Sequence, residues 1–75
     1  MTEKEKEFHE FYMTVRKRNH LRKELKQTLY ETEIKIYQER EGKDKLVISE
    51  TGEDADAVFE SALFQLHYMN ERRKA

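Results

Sequence analysis

The spacing of the apolar residues changes twice along this chain, and that change constrains its fold more than any other feature. Phe8, Phe11, Tyr12 and Val15 stand at i, i+3, i+4 and i+7, the repeat of one face of an α-helix. From Tyr30 the period drops to two. Tyr30, Thr32, Ile34 and Ile36 alternate with Glu31, Glu33, Lys35 and Tyr37, as a strand with one wet face requires. Beyond Gly52 the helical spacing returns, and Ala55, Val58, Phe59, Ala62, Leu63, Leu66 and Met69 share one broad face. The order is helix, two-stranded antiparallel hairpin, helix: an α+β (αββα) arrangement in a single small domain, 1–75.

The first helix is expected over about 3–28. No Pro or Gly interrupts Thr2 to Leu29, helix formers dominate, and Leu25 and Leu29 return near the azimuth of Phe8. The polar run Arg16-Lys17-Arg18-Asn19-His20 leaves two readings open. Either a continuous rod of about 26 residues, roughly 39 Å long, overhangs the domain, or the chain bends near 18–20. Strands are expected at about 30–39 and 43–50. Pairing Ile36 with Leu46 and Ile34 with Ile48 leaves Arg40, Glu41 and Gly42 as a three-residue loop, with Gly42 at the position that needs positive φ. Thr51-Gly52-Glu53-Asp54 approximates a capping box, which starts the last helix near Glu53. That helix, about 53–72, runs into Arg72, Arg73 and Lys74, cations suited to its negative end.

With 75 residues, 41% charged and 36% apolar, the chain builds only a thin core, and self-association is a further source of stability. The absence of cysteine removes disulfides, thiolate nucleophiles and cysteine zinc sites. With Gly42 and Gly52 its only glycines, the chain carries no glycine-rich phosphate cradle, and neither Ser49 nor Ser61 lies in a strained elbow or beside a histidine. Asp54 and Asp56 read as first-turn helix acids. His20 with Glu24 and His67 with Glu71 have the i, i+4 spacing of two metal ligands but lack a third, and they read as surface pairs. His9 reads as a boundary residue of the first apolar face. The expectation is a protein that is not an enzyme and has no cofactor or metal. Met1 to Glu10 alternate acid and base, and no apolar run approaches the roughly 18 residues of a membrane span, so the expectation is a cytoplasmic protein with no membrane contact.

Two features point toward partners. Ala57, Ser61, Phe64 and Tyr68, at i, i+4, i+7 and i+11, form a second, narrower apolar stripe on the last helix, opposite the broad one. Either helix one covers it with Phe8, Phe11, Tyr12 and Val15, or it meets a second copy of the chain or another protein. Phe64 and Tyr68 are the candidate contact residues, with Phe11 and Tyr12 as their counterparts within the fold or across a homodimer. The second feature is charge. The net charge of −1 conceals a basic block, Arg16, Lys17, Arg18, Arg22, Lys23 and Lys26, followed by an acidic stretch from Glu31 to Asp56. On a continuous helix Arg18, Arg22 and Lys26 form a stripe able to meet phosphates, although no aromatic residue interleaves to stack bases. A row of carboxylates can also imitate a nucleic-acid backbone, but Lys35 and Tyr37 interrupt this one. The leading expectation is a small adaptor or inhibitor that presents helical surface to a protein and self-associates. A nucleic-acid-binding regulator is the alternative. Size and composition suit a bacterial or phage regulator of host machinery.

Overall fold

The computed structural model describes residues 1–74, with side chains through Arg72; those of Arg73 and Lys74 lie outside the described residues. The elements are α1 (Glu3–Asn19), β1 (Leu21–Gln27), β2 (Thr32–Arg40), β3 (Lys43–Gly52) and α2 (Ala55–Lys74). The α+β class holds, but the sheet has three antiparallel strands in the order β1-β2-β3, not the two of the expected hairpin.

The extra strand comes from the second half of the expected long helix. α1 starts at Thr2, whose hydroxyl accepts the Glu5 amide at 3.3 Å, and stops at Asn19. His20 turns the chain with left-handed φ 56 and ψ 50, and its amide closes onto the carbonyls of Arg16 and Lys17. The chain therefore breaks where the polar run interrupts the apolar face. Leu21, Lys23 and Leu25 then alternate with Arg22, Glu24 and Lys26 along β1. Leucines four apart satisfy a helical face and a strand face alike, which is why Leu25 and Leu29 imitate a helix. Leu29 instead sits 94% exposed, beside Tyr30, in the connection to β2. There the Thr28 hydroxyl oxygen accepts the amides of Tyr30 and Glu31.

The hairpin turn and the cap of the last helix also differ from those expected. The β2–β3 loop has two residues, Glu41 and Gly42, both with positive φ (54 and 77), the primed turn that matches strand twist. Ile36 pairs with Ile48, Ile34 with Glu50 and Tyr37 with Leu46, so Val47 is an unpaired bulge residue. The bulge reverses the facing of the residues before it. Ile48 turns inward, while Leu46, expected in the core, is 46% exposed. β3 also continues through Gly52, and Thr51 spends its hydroxyl on Glu31 at 2.6 Å, so Asp54, not Thr51, caps α2 by accepting the Ala57 amide.

Both helices cover one face of the sheet. Phe8, Tyr12 and Val15 of α1 and Val58, Phe59, Ala62 and Leu66 of α2 close over Leu21, Ile34, Ile36 and Ile48. Phe8 and Phe59 lie with ring centroids 5.6 Å apart between the helices. Thr2 bonds Asp56, Phe11 stacks on His67, and Asn19 reaches Asn70, so the two helices run in the same direction.

Candidate functional site

On α2, Val58, Phe59, Ala62 and Leu66 point into the core, and the α1 side of the helix carries Phe59, His67 and Asn70. At 100° per residue, Ala57, Ser61, Phe64 and Tyr68 fall on the flank away from α1. Phe64 is 73% exposed and Tyr68 58% exposed, Ala57 is exposed, and Ser61 is half-buried. The reading in which helix one covers this stripe is therefore overturned. α1 lies on the other flank, where Phe11 stacks on His67 with centroids 3.8 Å apart. Tyr12 is buried and its hydroxyl donates to the Leu21 carbonyl at 3.4 Å. Phe64 and Tyr68 thus stand together in solvent, with Phe11 and Tyr12 engaged elsewhere in the fold.

The groove beside the stripe has an apolar part and a cationic part. One section, of about 240 Å³, is bounded by Val47, Ile48, Gln65, Tyr68 and Met69. The next, of about 370 Å³, shares Tyr68 and Met69 and is lined also by Asn19, Gln38, Arg40 and Arg72. Two side-chain amides, the buried Asn19 and the half-buried Gln38, line its α1 end. The Gln38 side chain donates to the Asn19 carbonyl at 3.0 Å, and Asn19 donates to the Val15 carbonyl at 2.9 Å. Arg18 ties the end of α1 to α2 by donating to Asn70 at 2.9 Å. The Arg72 guanidinium lies 5.7 Å from the Tyr68 ring centroid.

The expected basic stripe is not formed, because its residues span a helix end and a strand. Arg16, Lys17 and Arg18 occupy the last turn of α1. Arg22 lies on the uncovered face of the sheet, 4.5 Å over the Tyr37 ring and paired with Glu24 and Asp44. These pairings hold the Arg22 guanidinium above and the Glu24 carboxyl below their ordinary values. Lys26 sits at the far end of β1. Lys23 points beneath α1, where its ammonium meets His9 Nδ1 at 2.7 Å and lies 4.7 Å from the Tyr12 ring centroid. Burial pushes Lys23 below its ordinary value, with Arg16 adding to the effect. Burial, then the Lys23 charge, pushes the His9 imidazole down against a weaker opposing pull from Glu5. His20, which caps α1, no longer shares a helical turn with Glu24.

A different cationic assembly appears in its place. The C-terminal ends of both helices and the β2–β3 turn meet at one pole, gathering Arg16, Lys17, Arg18, Arg40, Lys43, Lys45 and Arg72. The acids there are Glu39, Glu41, Asp44 and Glu71. Among the described residues Arg40, Lys43, Lys45 and Arg72 form no ion pair. At the opposite pole both helix N-termini meet Glu3, Glu5, Glu7, Glu31, Glu33, Glu50, Glu53, Asp54 and Asp56, against Lys4, Lys6, Lys26 and Lys35. This gathering was not legible from linear blocks, because Arg40, Lys43 and Lys45 lie inside the stretch that reads as acidic. The turn at Gly42 was the signal that brings them together. No helix among the described residues is long and apolar enough to cross a membrane. Comparison with protein-family models, curated proteins and solved structures finds no match to this chain.

Proposed function

We propose that the protein is a small non-enzymatic interaction module that docks another protein surface through the outer flank of α2. One observation carries this reading: Phe64 and Tyr68, two large aromatic side chains one helical turn apart, stay in solvent although the fold has a helix available to cover them. Aromatic anchors grouped beside a groove with an apolar floor are the usual core of a protein contact, and a cationic rim adds orientation. The test is Phe64→Glu. Because Phe64 packs no core, the variant keeps the circular dichroism spectrum and melting curve of the parent, and it loses whatever protein contact the parent makes, whether with itself or with another chain. Unfolding by Phe64→Glu, or association unchanged by it, overturns the reading.

The cationic pole favours a second reading, a nucleic-acid-binding regulator. Tyr68 supplies beside Arg40 and Arg72 the aromatic surface that the linear basic block lacks. On this reading the chain is retained on single-stranded DNA or heparin at low salt, retention falls steeply as salt is added, and Arg40→Glu with Arg72→Glu abolishes it. No retention at low salt discards it.

A further inference from the structure

We infer that the occupant of the α2 flank is a second copy of this chain, whose α2 lies antiparallel to the first in one defined register. The inference rests on the docking role proposed for this flank and names its partner. Ala57, Ser61, Phe64 and Tyr68 are separated by four, three and four residues, the spacing of the apolar seam of a two-helix coiled coil, with Ala57 and Phe64 at d and Ser61 and Tyr68 at a. In an antiparallel pair each a position meets a d position of the other helix. That sets Tyr68 of one copy against Ala57 of the other, and Phe64 against Ser61.

The sequence is self-complementary in just this register. Every layer places one aromatic ring against one small side chain, so the helices approach closely and the rings fill the space left by Ala57 and Ser61. A parallel pair would instead set Tyr68 against Tyr68 and Ala57 against Ala57, crowding one layer and emptying another. Exposure agrees with this arrangement. Ala57 is exposed, Phe64 is 73% and Tyr68 58% exposed, and the smaller Ser61 between them is half-buried.

Charge selects the same orientation. The two helices run together, so each molecule carries its cations at one pole and its acids at the other. A twofold axis across α2 brings each Arg72 end beside the Glu53, Asp54 and Asp56 end of the other copy, whereas a parallel pair sets like poles together. The seam spans only two heptads, well short of the roughly 800 Å² per partner of a standard interface, so the association is weak and depends on concentration.

Sedimentation equilibrium tests the stoichiometry. The mass rises from that of one 9.2 kDa chain toward twice that value between roughly micromolar and millimolar protein, and Phe64→Glu holds it at one chain. Thiol pairing tests the register, and the chain contains no cysteine to confuse it. Mixed and mildly oxidised, Ala57→Cys and Tyr68→Cys give a mixed disulfide, while Ala57→Cys alone stays monomeric on a non-reducing gel. A single-chain mass at every concentration overturns the inference, as does ready cross-linking of Ala57→Cys to itself. A chain that stays monomeric yet binds another protein in a Phe64-dependent way overturns the second copy and leaves the docking role standing. Association that Phe64→Glu does not touch overturns both.

Discussion

Lys23 is the residue whose place the linear sequence hides most completely. In a basic block it reads as one more solvated cation, yet β1 turns it under α1, where it donates to the neutral His9 ring through Nδ1. That contact assigns the proton of His9 to Nε2, on the side of Glu5. His9 thus reads correctly as a boundary residue, but its partner is legible only once Lys23 is known to lie on a strand. The His9 pKa is lowered in the folded chain, so on acidification the unfolded chain takes up the proton first. The folded state accordingly loses stability as pH falls below about 6.5, the ordinary imidazole value, and regains it as pH rises. His9→Gln removes this contribution. Denaturant midpoints of parent and variant, compared from pH 7.5 down to pH 5.5, should diverge in slope, the parent falling more steeply. Parallel curves would mean that the fold does not hold the His9 imidazole below its ordinary value.

At the level of elements, the outcome followed how many independent signals each segment carried. α2 was legible because its broad apolar face, its flanking acids and the glycine before it agree. β2 and β3 were legible from alternation, but Val47 slips the register by one. A bulge leaves no mark in a sequence whose neighbours Leu46, Val47 and Ile48 are all apolar. β1 was missed because its residues suit a helix, and what ends α1 is the loss of an apolar face after Val15, followed by His20 in a left-handed conformation. A β-carbon in that region costs roughly 1 kcal/mol or more, which glycine avoids. His20 is exposed, and its backbone carbonyl accepts the Glu39 amide whatever the side chain. His20→Gly should therefore stabilise the protein by about 0.5–1 kcal/mol in urea unfolding, without altering the circular dichroism spectrum. Were residues 18–24 to prefer helix after all, glycine in their midst would destabilise by a similar amount.

On the scale of the whole molecule, strand follows strand through short turns, while α1 meets α2 across about fifty residues of intervening chain, as the Thr2–Asp56 hydrogen bond marks. β2 is paired on both sides and buries Ile34 and Ile36 completely. Its amides should be the slowest to exchange in deuterium oxide, and those of the first turns of α1 the fastest among the helices. Equal protection of α1 and β2 would show that the helix is bound as tightly as the central strand. The alignment of the two helices has a consequence for encounters in solution. Ionised side chains sorted by sign outweigh the opposing peptide dipoles of the two helices, so each molecule presents its neighbours with unlike ends. Within a Debye length of about 8 Å at physiological ionic strength, two approaching molecules feel a torque before they touch. Head meets tail more often than chance would arrange, and dissolved electrolyte sets how far that bias reaches.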